Sequence, residues 1–249
     1  MGRIGMIDWG IGGIGIYRRL KERFPRASVT YFSDTGFTPY GKTTRRELIE
    51  RLERVIRFLR EHDVTQVVIG CNAASTVVDD LRCGGIEVSG VIKPAVDLAA
   101  HIKPQDLGLI GGRRTVVSGV YRRGLAAAGI GLKQRIAQPL SGLIEMGEID
   151  SPVLHLESER ILKPLANCSH VLLACTHYPA IANVLSRYVS PRTQFIDPAD
   201  AVVSRLDLSR ISTGRPDVFL TTGSRREMRR AAKAAWAIDL KEPKRVRTL

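Results

Sequence analysis

The segment Val67-Val-Ile-Gly-Cys-Asn-Ala-Ala-Ser75 decides the fold, because the chain repeats its pattern at Val171-Leu-Leu-Ala-Cys-Thr-His-Tyr-Pro179. Each segment is an apolar run followed by a cysteine and small polar residues, as in a buried parallel strand that ends in a loop. A second pair precedes them, since Ile4–Ile7 (IGMI) matches Leu107–Ile110 (LGLI). Both pairs are separated by about a hundred residues, the size of a domain. This order predicts an internal duplication; the alternative is chance similarity between apolar strands.

Strands and helices alternate between these segments. Helices are predicted over Ile14–Arg23 and Thr44–Glu61, and further strands over Val29–Phe32 and Val88–Val91. Such alternation predicts parallel sheets covered by helices. The sequence therefore predicts an α/β fold of two similar domains related by a pseudo-twofold axis. The carboxyl ends of their strands, where active sites collect, would face one shared cleft.

The 249 residues carry a formal net charge of +13, and many arginines form doublets such as Arg113-Arg114 and Arg225-Arg226. We interpret the doublets as solvated helix faces, although the charge can also attract anionic substrates. The sequence contains no nucleic-acid-binding module, no apolar run long enough to span a bilayer and no signal peptide. We expect a cytoplasmic protein that binds a small molecule, with no nucleic acid or membrane partner.

Four cysteines are present, at positions 71, 83, 168 and 175. They form no C-x-x-C pair, and no cysteine and histidine cluster has the spacing of a zinc site, so we expect no metal. Cys83 and Cys168 match no motif and are interpreted as structural. Cys71 and Cys175 follow equivalent strands of the repeat. The duplication would therefore place one thiol on each side of the shared cleft.

The glycines of Gly10-Ile-Gly-Gly-Ile-Gly15 allow an alternative interpretation. They match the G-x-G-x-x-G fingerprint of dinucleotide-binding folds, and Asp34 ends the second strand where a ribose-binding acid is expected. However, Asp8 would place a carboxylate near the pyrophosphate, and the fingerprint leaves the duplicated cysteines unexplained. The simpler interpretation is a turn that approaches a small ligand closely.

Motifs along almost the whole chain resemble those of glutamate racemases, in the aspartate/glutamate racemase family. The matching segments are 4–13 (IGMIDWGIGG), 31–41 (YFSDTGFTPYG), 69–75 (IGCNAAS), 90–96 (GVIKPAV), 109–115 (LIGGRRT, with Ser118 and Tyr121), 143–147 (LIEMG) and 174–179 (ACTHYP). The resemblance implies a first domain of residues 1–93 plus 206–249 and a second of residues 94–205. It also implies a racemase that uses neither pyridoxal phosphate nor metal, and so no cofactor.

Racemisation needs a base on one face of the α-carbon and an acid on the other, and two cysteines can exchange these roles. The resemblance implies that Cys71 acts on the D-enantiomer and Cys175 on the L-enantiomer. It assigns help in proton transfer to Asp8, Glu145 and His177. From the residues alone, Asp8 could equally be a turn residue, His177 a structural histidine and Glu145 an ordinary surface carboxylate.

The resemblance also assigns substrate binding. The positions concerned are Trp9, Tyr40, Gly41, Asn72, Ala73, Ser75, Thr115 and Thr176. Two of them depart from the family pattern, because Trp9 replaces a serine and Ala73 replaces a threonine; Gly112 in place of a threonine is a milder change. These departures leave open a racemase for another amino acid, such as aspartate, or a relative that binds without turnover. A homodimer is also left open.

Overall fold

The computed structural model describes residues 2–247; Met1, Thr248 and Leu249, at the ends of the predicted first domain, lie outside it. The strands are β1 (Arg3–Asp8), β2 (Val29–Ser33), β3 (Val64–Ile69), β4 (Glu87–Gly90), β5 (Leu107–Gly111), β6 (Leu132–Ile136), β7 (His170–Ala174), β8 (Gln194–Ile196), β9 (Val218–Thr221) and β10 (Lys244–Arg245). The helices are α1 (Ile14–Arg23), α2 (Arg45–Arg60), α3 (Asn72–Ser75), α4 (Ile92–Ile102), α5 (Arg113–Val117), α6 (Val120–Ala127), α7 (Gln138–Glu145), α8 (Pro152–Leu162), α9 (Ala182–Leu185), α10 (Ala199–Val203) and α11 (Arg225–Trp236). Short 3-10 turns occupy Val78–Asp80, Lys163–Leu165, Tyr178–Ile181 and Ser186–Tyr188.

The strands form two parallel sheets. Six strands form the first sheet, in the order β10-β9-β2-β1-β3-β4, and four form the second, in the order β6-β5-β7-β8. The predicted α/β class with two helix-covered parallel sheets is therefore confirmed. β9 and β10 return from the end of the chain to the first sheet, whereas β5 to β8 lie between residues 107 and 196. The exact domain limits, at 93/94 and 205/206, remain a prediction.

The two sheets repeat one topology. The strand order β2-β1-β3-β4 in the first sheet corresponds to β6-β5-β7-β8 in the second. The register is also the same, because Gly5 of β1 pairs with Val67 of β3, and Gly108 of β5 pairs with Val171 of β7. These are the residues that the sequence repeat aligns. The loops after β3 and β7 therefore occupy equivalent places in the two halves.

Helix α2 shows why the predicted elements form. Thr44 caps it through a reciprocal pair of hydrogen bonds with Glu47, which satisfies two backbone donors of the first turn. Its apolar side chains at Leu48, Leu52, Val55 and Leu59, spaced four, three and four residues apart, are fully buried against the first sheet. The other half has its own core around β5 and β7. Within residues 2–247, no helix is both long and apolar enough to cross a membrane.

Candidate active site

The two predicted catalytic thiols lie at equivalent ends of the repeated strands. Cys71 follows β3 as the N-cap residue of α3, Cys175 directly follows β7, and both are half-buried free thiols. Burial raises the pKa of Cys71 well above its usual value, and the negative charges of Asp8 and Cys175 raise it further. Cys71 is therefore a neutral thiol at pH 7.

A chain of hydrogen-bonding groups begins at the second thiol. Sγ of Cys175 lies 3.5 Å from Nδ1 of His177, and Nε2 of His177 lies 2.5 Å from Oε1 of Glu145. Burial alone would lower the pKa of His177, but Cys175 and Glu145 outweigh it, and the net pKa is well above the usual value. His177 is thus an imidazolium at neutral pH, with one ring nitrogen toward the thiol and the other toward the carboxylate.

Asp8 ends β1 and is fully buried between the two halves. Its Oδ2 accepts hydrogen bonds from the Gly13 backbone nitrogen at 2.5 Å and from the Thr176 hydroxyl at 3.2 Å. Its Oδ1 is buried without a hydrogen-bond partner in the described chain. Burial raises the pKa of Asp8, partly opposed by the charge of His177. A carboxyl group with a raised pKa and an unpaired oxygen is suited to exchanging protons with a neighbouring thiol.

The glycines after β1 make room for two predicted catalytic groups of the other half. A Cβ atom on Gly10 would lie 1.7 Å from Oε1 of Glu145, and one on Gly12 would lie 2.5 Å from Nδ1 of His177. Gly15 packs against Trp236, which a Cβ would approach to 2.6 Å. Protein groups thus occupy the space that the dinucleotide interpretation reserves for a pyrophosphate. From the sequence we expected these glycines to approach a small ligand; in the structure Gly10 and Gly12 closely approach the carboxylate of Glu145 and the imidazole of His177.

Asp34, the other residue of the dinucleotide interpretation, is fully buried. The guanidinium of Arg51 donates to both of its oxygens, at 2.8 and 2.6 Å, and the hydroxyls of Tyr40 and Thr222 each donate at 2.8 Å. Its carboxylate is fully used inside the protein and has no place for a ribose. This structural role also takes up the hydroxyl of Tyr40, one of the predicted substrate donors.

Two predicted binding residues, Asn72 and Thr176, have polar groups that bear on the site. Oδ1 of Asn72 accepts a hydrogen bond from the Tyr121 hydroxyl at 2.6 Å, whereas its Nδ2 is buried without an acceptor among the described residues. An unpaired buried amide is costly, so it is a strong candidate donor to a substrate carboxylate. The hydroxyl of Thr176 donates to Asp8, which connects the second half to the carboxylate of the first.

The side chains of Ser75 and Trp9, two further predicted binding residues, form hydrogen bonds within the protein. The hydroxyl of Ser75 donates to the Ile69 carbonyl at 3.2 Å and accepts from the Val91 nitrogen at 3.1 Å, a bond that holds the start of α4. The indole of Trp9 donates to the Phe37 carbonyl at 2.9 Å. Gly41 lies in the loop after β2, Ala73 lies in the short helix α3, and Thr115 is buried in α5. The structure therefore gives Ser75 and the Trp9 N–H roles within the protein.

Sequence reasoning missed one residue at this cleft. Arg114, interpreted as part of a solvated doublet, is half-buried, and Nη1 donates to the Thr43 carbonyl at 2.7 Å. Its Nε donates to the Thr76 hydroxyl at 3.1 Å. The doublet pattern gives no signal that one arginine faces the other half, because α5 carries Arg113 outward and Arg114 inward.

Residues 2–247 contain no group of three or more His, Cys, Asp or Glu side chains that could together hold a metal ion.

Comparison with known proteins places this arrangement in a family. The family model described as Asp/Glu/hydantoin racemase matches residues 4–206. The chain belongs to this racemase family. It is similar to the glutamate racemase of Desulforudis audaxviator, with 33% identity over 218 residues that cover 84% of this chain and 80% of that protein. The family resemblance seen in the motifs is confirmed.

Solved structures of the racemase family share the fold. The glutamate racemase of Thermus thermophilus, in complex with β-chloro-D-alanine, is 27% identical, with a TM-score of 0.83 over 98% of this chain and 96% of that one. The glutamate racemase of Francisella tularensis, in complex with D-glutamate, has a TM-score of 0.87 over 98% and 97% of the two chains. At 22% identity this second likeness concerns the fold alone.

Proposed function

We propose that this protein is a cofactor-independent racemase that interconverts L- and D-glutamate. The observation that carries the proposal is the pair of thiols, Cys71 and Cys175, at equivalent strand ends of a duplicated fold. His177 lies within hydrogen-bonding distance of Cys175, and we assign Asp8, whose charge acts on Cys71, to the first thiol. The names of the matched relatives support glutamate as the substrate.

The two thiols have different neighbours. Cys71 is held neutral by burial and by the charge of Asp8. The imidazolium of His177 can donate from Nδ1 to a thiolate at Cys175, and Glu145 stabilises that imidazolium from Nε2. Removal of the α-proton of L-glutamate needs a base at Cys175 and an acid at Cys71, and the neutral Cys71 thiol supplies the acid. This is the form that racemises L-glutamate in the family assignment.

The proton balance follows from this arrangement. The Cys175 thiolate removes the α-proton of L-glutamate and becomes a thiol, while the Cys71 thiol delivers its proton to the opposite face and becomes a thiolate. Each conversion thus exchanges the protonation states of the two thiols. Before the next L-glutamate binds, the Cys175 thiol must lose a proton to solvent and the Cys71 thiolate must take one up, and Asp8 is the buried carboxyl group that can relay the proton to Cys71.

Substrate orientation needs donors for the carboxylates. The buried Nδ2 of Asn72, which lacks a protein acceptor, is the side-chain donor that we assign to the α-carboxylate. In this proposal Asn72, adjacent to Cys71, fixes the α-carbon relative to the first thiol. The product, D-glutamate, would supply peptidoglycan synthesis, as is typical of the family. Location in the cytoplasm and assembly as a homodimer remain predictions.

The decisive experiment is proton exchange in D₂O. Purified protein is incubated with single L-amino acids, without added cofactor and with a chelator, and followed by NMR and chiral chromatography. We expect α-deuterium incorporation and D-isomer with glutamate, and much less with aspartate. Faster turnover of aspartate would assign the second substrate that the changes at Trp9 and Ala73 leave open. Binding of an amino acid without exchange would show that the protein is a non-catalytic relative.

A further inference from the structure

Neither of the titratable neighbours of the Cys175 thiol, His177 and Tyr178, can take its proton after turnover. The imidazole of His177 is already protonated at neutral pH, because Glu145 stabilises its charged form. The hydroxyl of Tyr178 donates to the Ala137 carbonyl at 2.8 Å, and burial raises its pKa well above the usual value, so it is a neutral phenol. The proton therefore needs another way out of the site.

A small cavity lies between Cys175 and a carboxyl group at the surface of the second half. Cys175 and Asp197 both line this cavity, and Gly15 and Trp236 close it from the first half. Its volume of about 10 Å³ is roughly the space that one water molecule needs. Asp197 directly follows β8 and is half-buried, so it meets the solvent as well as the cavity.

The strand register shows that the two groups are near neighbours. β7 and β8 are parallel, and Leu172 pairs with Ile196. Continuing this register places Asp197 beside Leu173, which also lines the cavity and lies two residues before Cys175, on the same face. With about 4.8 Å between strands and about 3.3 Å per residue, the backbones of Asp197 and Cys175 lie about 8 Å apart. One bridging water can join side chains at this separation.

The two halves of the molecule differ at this position. The repeated register aligns Asp197 with Gly90, where a Cβ atom would lie 2.7 Å from the Ser75 hydroxyl and a carboxyl group has no room. The same repeat aligns Asp8 with Gly111, so the second half lacks the carboxyl group that we assign to the first thiol. Each half thus has one carboxyl group on a strand next to the strand that leads to its thiol.

The surroundings of Asp197 suit a group that takes up a proton and releases it. Its Oδ1 accepts a hydrogen bond from the Ala199 nitrogen at 3.0 Å, whereas Oδ2 has no donor within residues 2–247. Burial raises the pKa of Asp197, and the Ala199 bond partly opposes this. Among the charged groups around it, Arg19 and Arg18 on α1 lower this pKa and Asp200 on α10 raises it. A carboxylate with a raised pKa accepts a proton more readily than an exposed aspartate does.

We propose that Asp197 is the proton relay of the second thiol, which passes to solvent the proton that Cys175 removes from L-glutamate. The inference rests on the proposed racemase function. The S–H group of Cys175 gives its proton to a water in the cavity, and that water gives one of its own protons to Oδ2 of Asp197. Asp197 then loses the proton to solvent, which leaves a Cys175 thiolate and an Asp197 carboxylate. From D- to L-glutamate the same steps run in reverse.

Asp197→Asn is the decisive variant, because its amide oxygen can still accept the Ala199 bond but the amide takes up no proton. Two rates are measured: release of the α-proton in a single turnover, with enzyme in excess over L-glutamate, and kcat at saturating L-glutamate. We expect the single-turnover rate to stay near that of the wild type, because it does not need the thiols to be reset. We expect kcat to fall by about a hundredfold, the lower end of the effect of a general acid–base group.

Asp200→Asn is the matched control, since it removes an exposed carboxylate three residues further on and should behave as the wild type. Asp197→Glu, which restores a carboxyl group, should have a higher kcat than Asp197→Asn. Urea unfolding shows whether each variant is folded.

Equal losses in both rates of Asp197→Asn would show that this residue only shapes the second half. An unchanged kcat would show that the proton leaves by another route, and a kcat of Asp197→Glu no higher than that of Asp197→Asn would show that acidity is not what matters. Each of these results overturns the inference. Failure of the proposed function differs from all three, because the wild-type protein would then release no α-proton in either assay.

Discussion

Oε1 of Glu145 lies 2.5 Å from Nε2 of His177, and the same oxygen accepts from the Ile11 nitrogen at 2.7 Å. One carboxylate therefore holds the imidazole of the second half and the glycine loop of the first. Because Glu145 favours the protonated imidazole, it controls whether His177 can donate to Cys175.

Replacing Glu145 with glutamine should lower the pKa of His177 and lower kcat/KM for glutamate by about ten- to a hundredfold, the range of one charged hydrogen bond. His177 has a folded-state pKa above its unfolded value of 6.5, so protonation stabilises the fold fully below that pH. The contribution is lost as pH rises through the folded-state pKa. An NMR titration of His177, with unfolding measured at several pH values, checks both expectations. A variant whose His177 titrates like the wild type would contradict them.

The two thiols should be separable by isotope exchange. Cys71→Ser and Cys175→Ser should each reduce racemisation by at least about a hundredfold, because each removes the acid–base group of one face. Cys71→Ser should still exchange the α-proton of L-glutamate through Cys175, and Cys175→Ser that of D-glutamate through Cys71. Cys83→Ser, at a half-buried cysteine outside the site, is the control. Near wild-type racemisation by both single variants would rule out the two-thiol mechanism.

Gly10 should be essential for a steric reason. Gly10→Ala would place a methyl group 1.7 Å from Oε1 of Glu145, so the carboxylate must leave His177. We expect activity to fall by at least as much as in Glu145→Gln. Gly142→Ala is the matched control on α7, the helix that carries Glu145, since no atom lies within 4 Å of its added Cβ. That control should gain about 0.5–1 kcal/mol of stability in urea unfolding and keep full activity.

The buried ion pair of Arg51 and Asp34 should contribute to stability. Arg51→Ala leaves the fully buried carboxylate without its cation, which costs about 3–5 kcal/mol in the free energy of unfolding. Arg46→Ala, at an exposed pair on the same helix, should cost less than about 1 kcal/mol. Guanidinium unfolding curves distinguish the two. Equal effects would show that burial of Asp34 does not govern its energetics.

Trp9 and Ala73 test the departures from the family pattern. Trp9→Ser with Ala73→Thr restores two hydroxyls beside the catalytic loops and removes the bond from the indole to Phe37. If the indole narrows the pocket, the double variant should raise glutamate turnover relative to other amino acids by about ten- to a hundredfold. A chiral assay over a panel of amino acids measures this ranking. An unchanged ranking would show that the indole lies outside the pocket.

Much of the fold was predictable because it depends on local patterns of apolar and polar residues in the sequence. Their apolar runs identify β1, β3, β5 and β7 as strands, and the spacing of apolar residues identifies α2 as an amphipathic helix. The sequence repeat also aligns Gly5 with Gly108, which have the same register in their sheets. The motifs likewise indicated Cys175, His177 and Glu145, which the structure brings into one hydrogen-bonded chain.

The remaining features depend on contacts between distant residues. Nothing in the sequence around Tyr40 or Ser75 shows that their hydroxyls are used by Asp34 and by the start of α4. The position of Arg114 could not be predicted for the same reason, since only the packing of the two halves distinguishes Arg114 from Arg113. Sequence patterns indicate which residues come near a site, but pairing inside the fold decides which donors stay available.

The return of the chain end to the first sheet has a consequence for biosynthesis. β9 is the neighbour of β2, and the indole of Trp236 donates to the Ile11 carbonyl and packs on Gly15. When the ribosome has synthesised residues up to 206, both cysteines are present. The strand β9 and Trp236, which pack behind the glycine loop, have not yet been synthesised. We therefore expect a chain that stops near residue 206 to contain both thiols but to lack the support that Trp236 gives to the glycine loop.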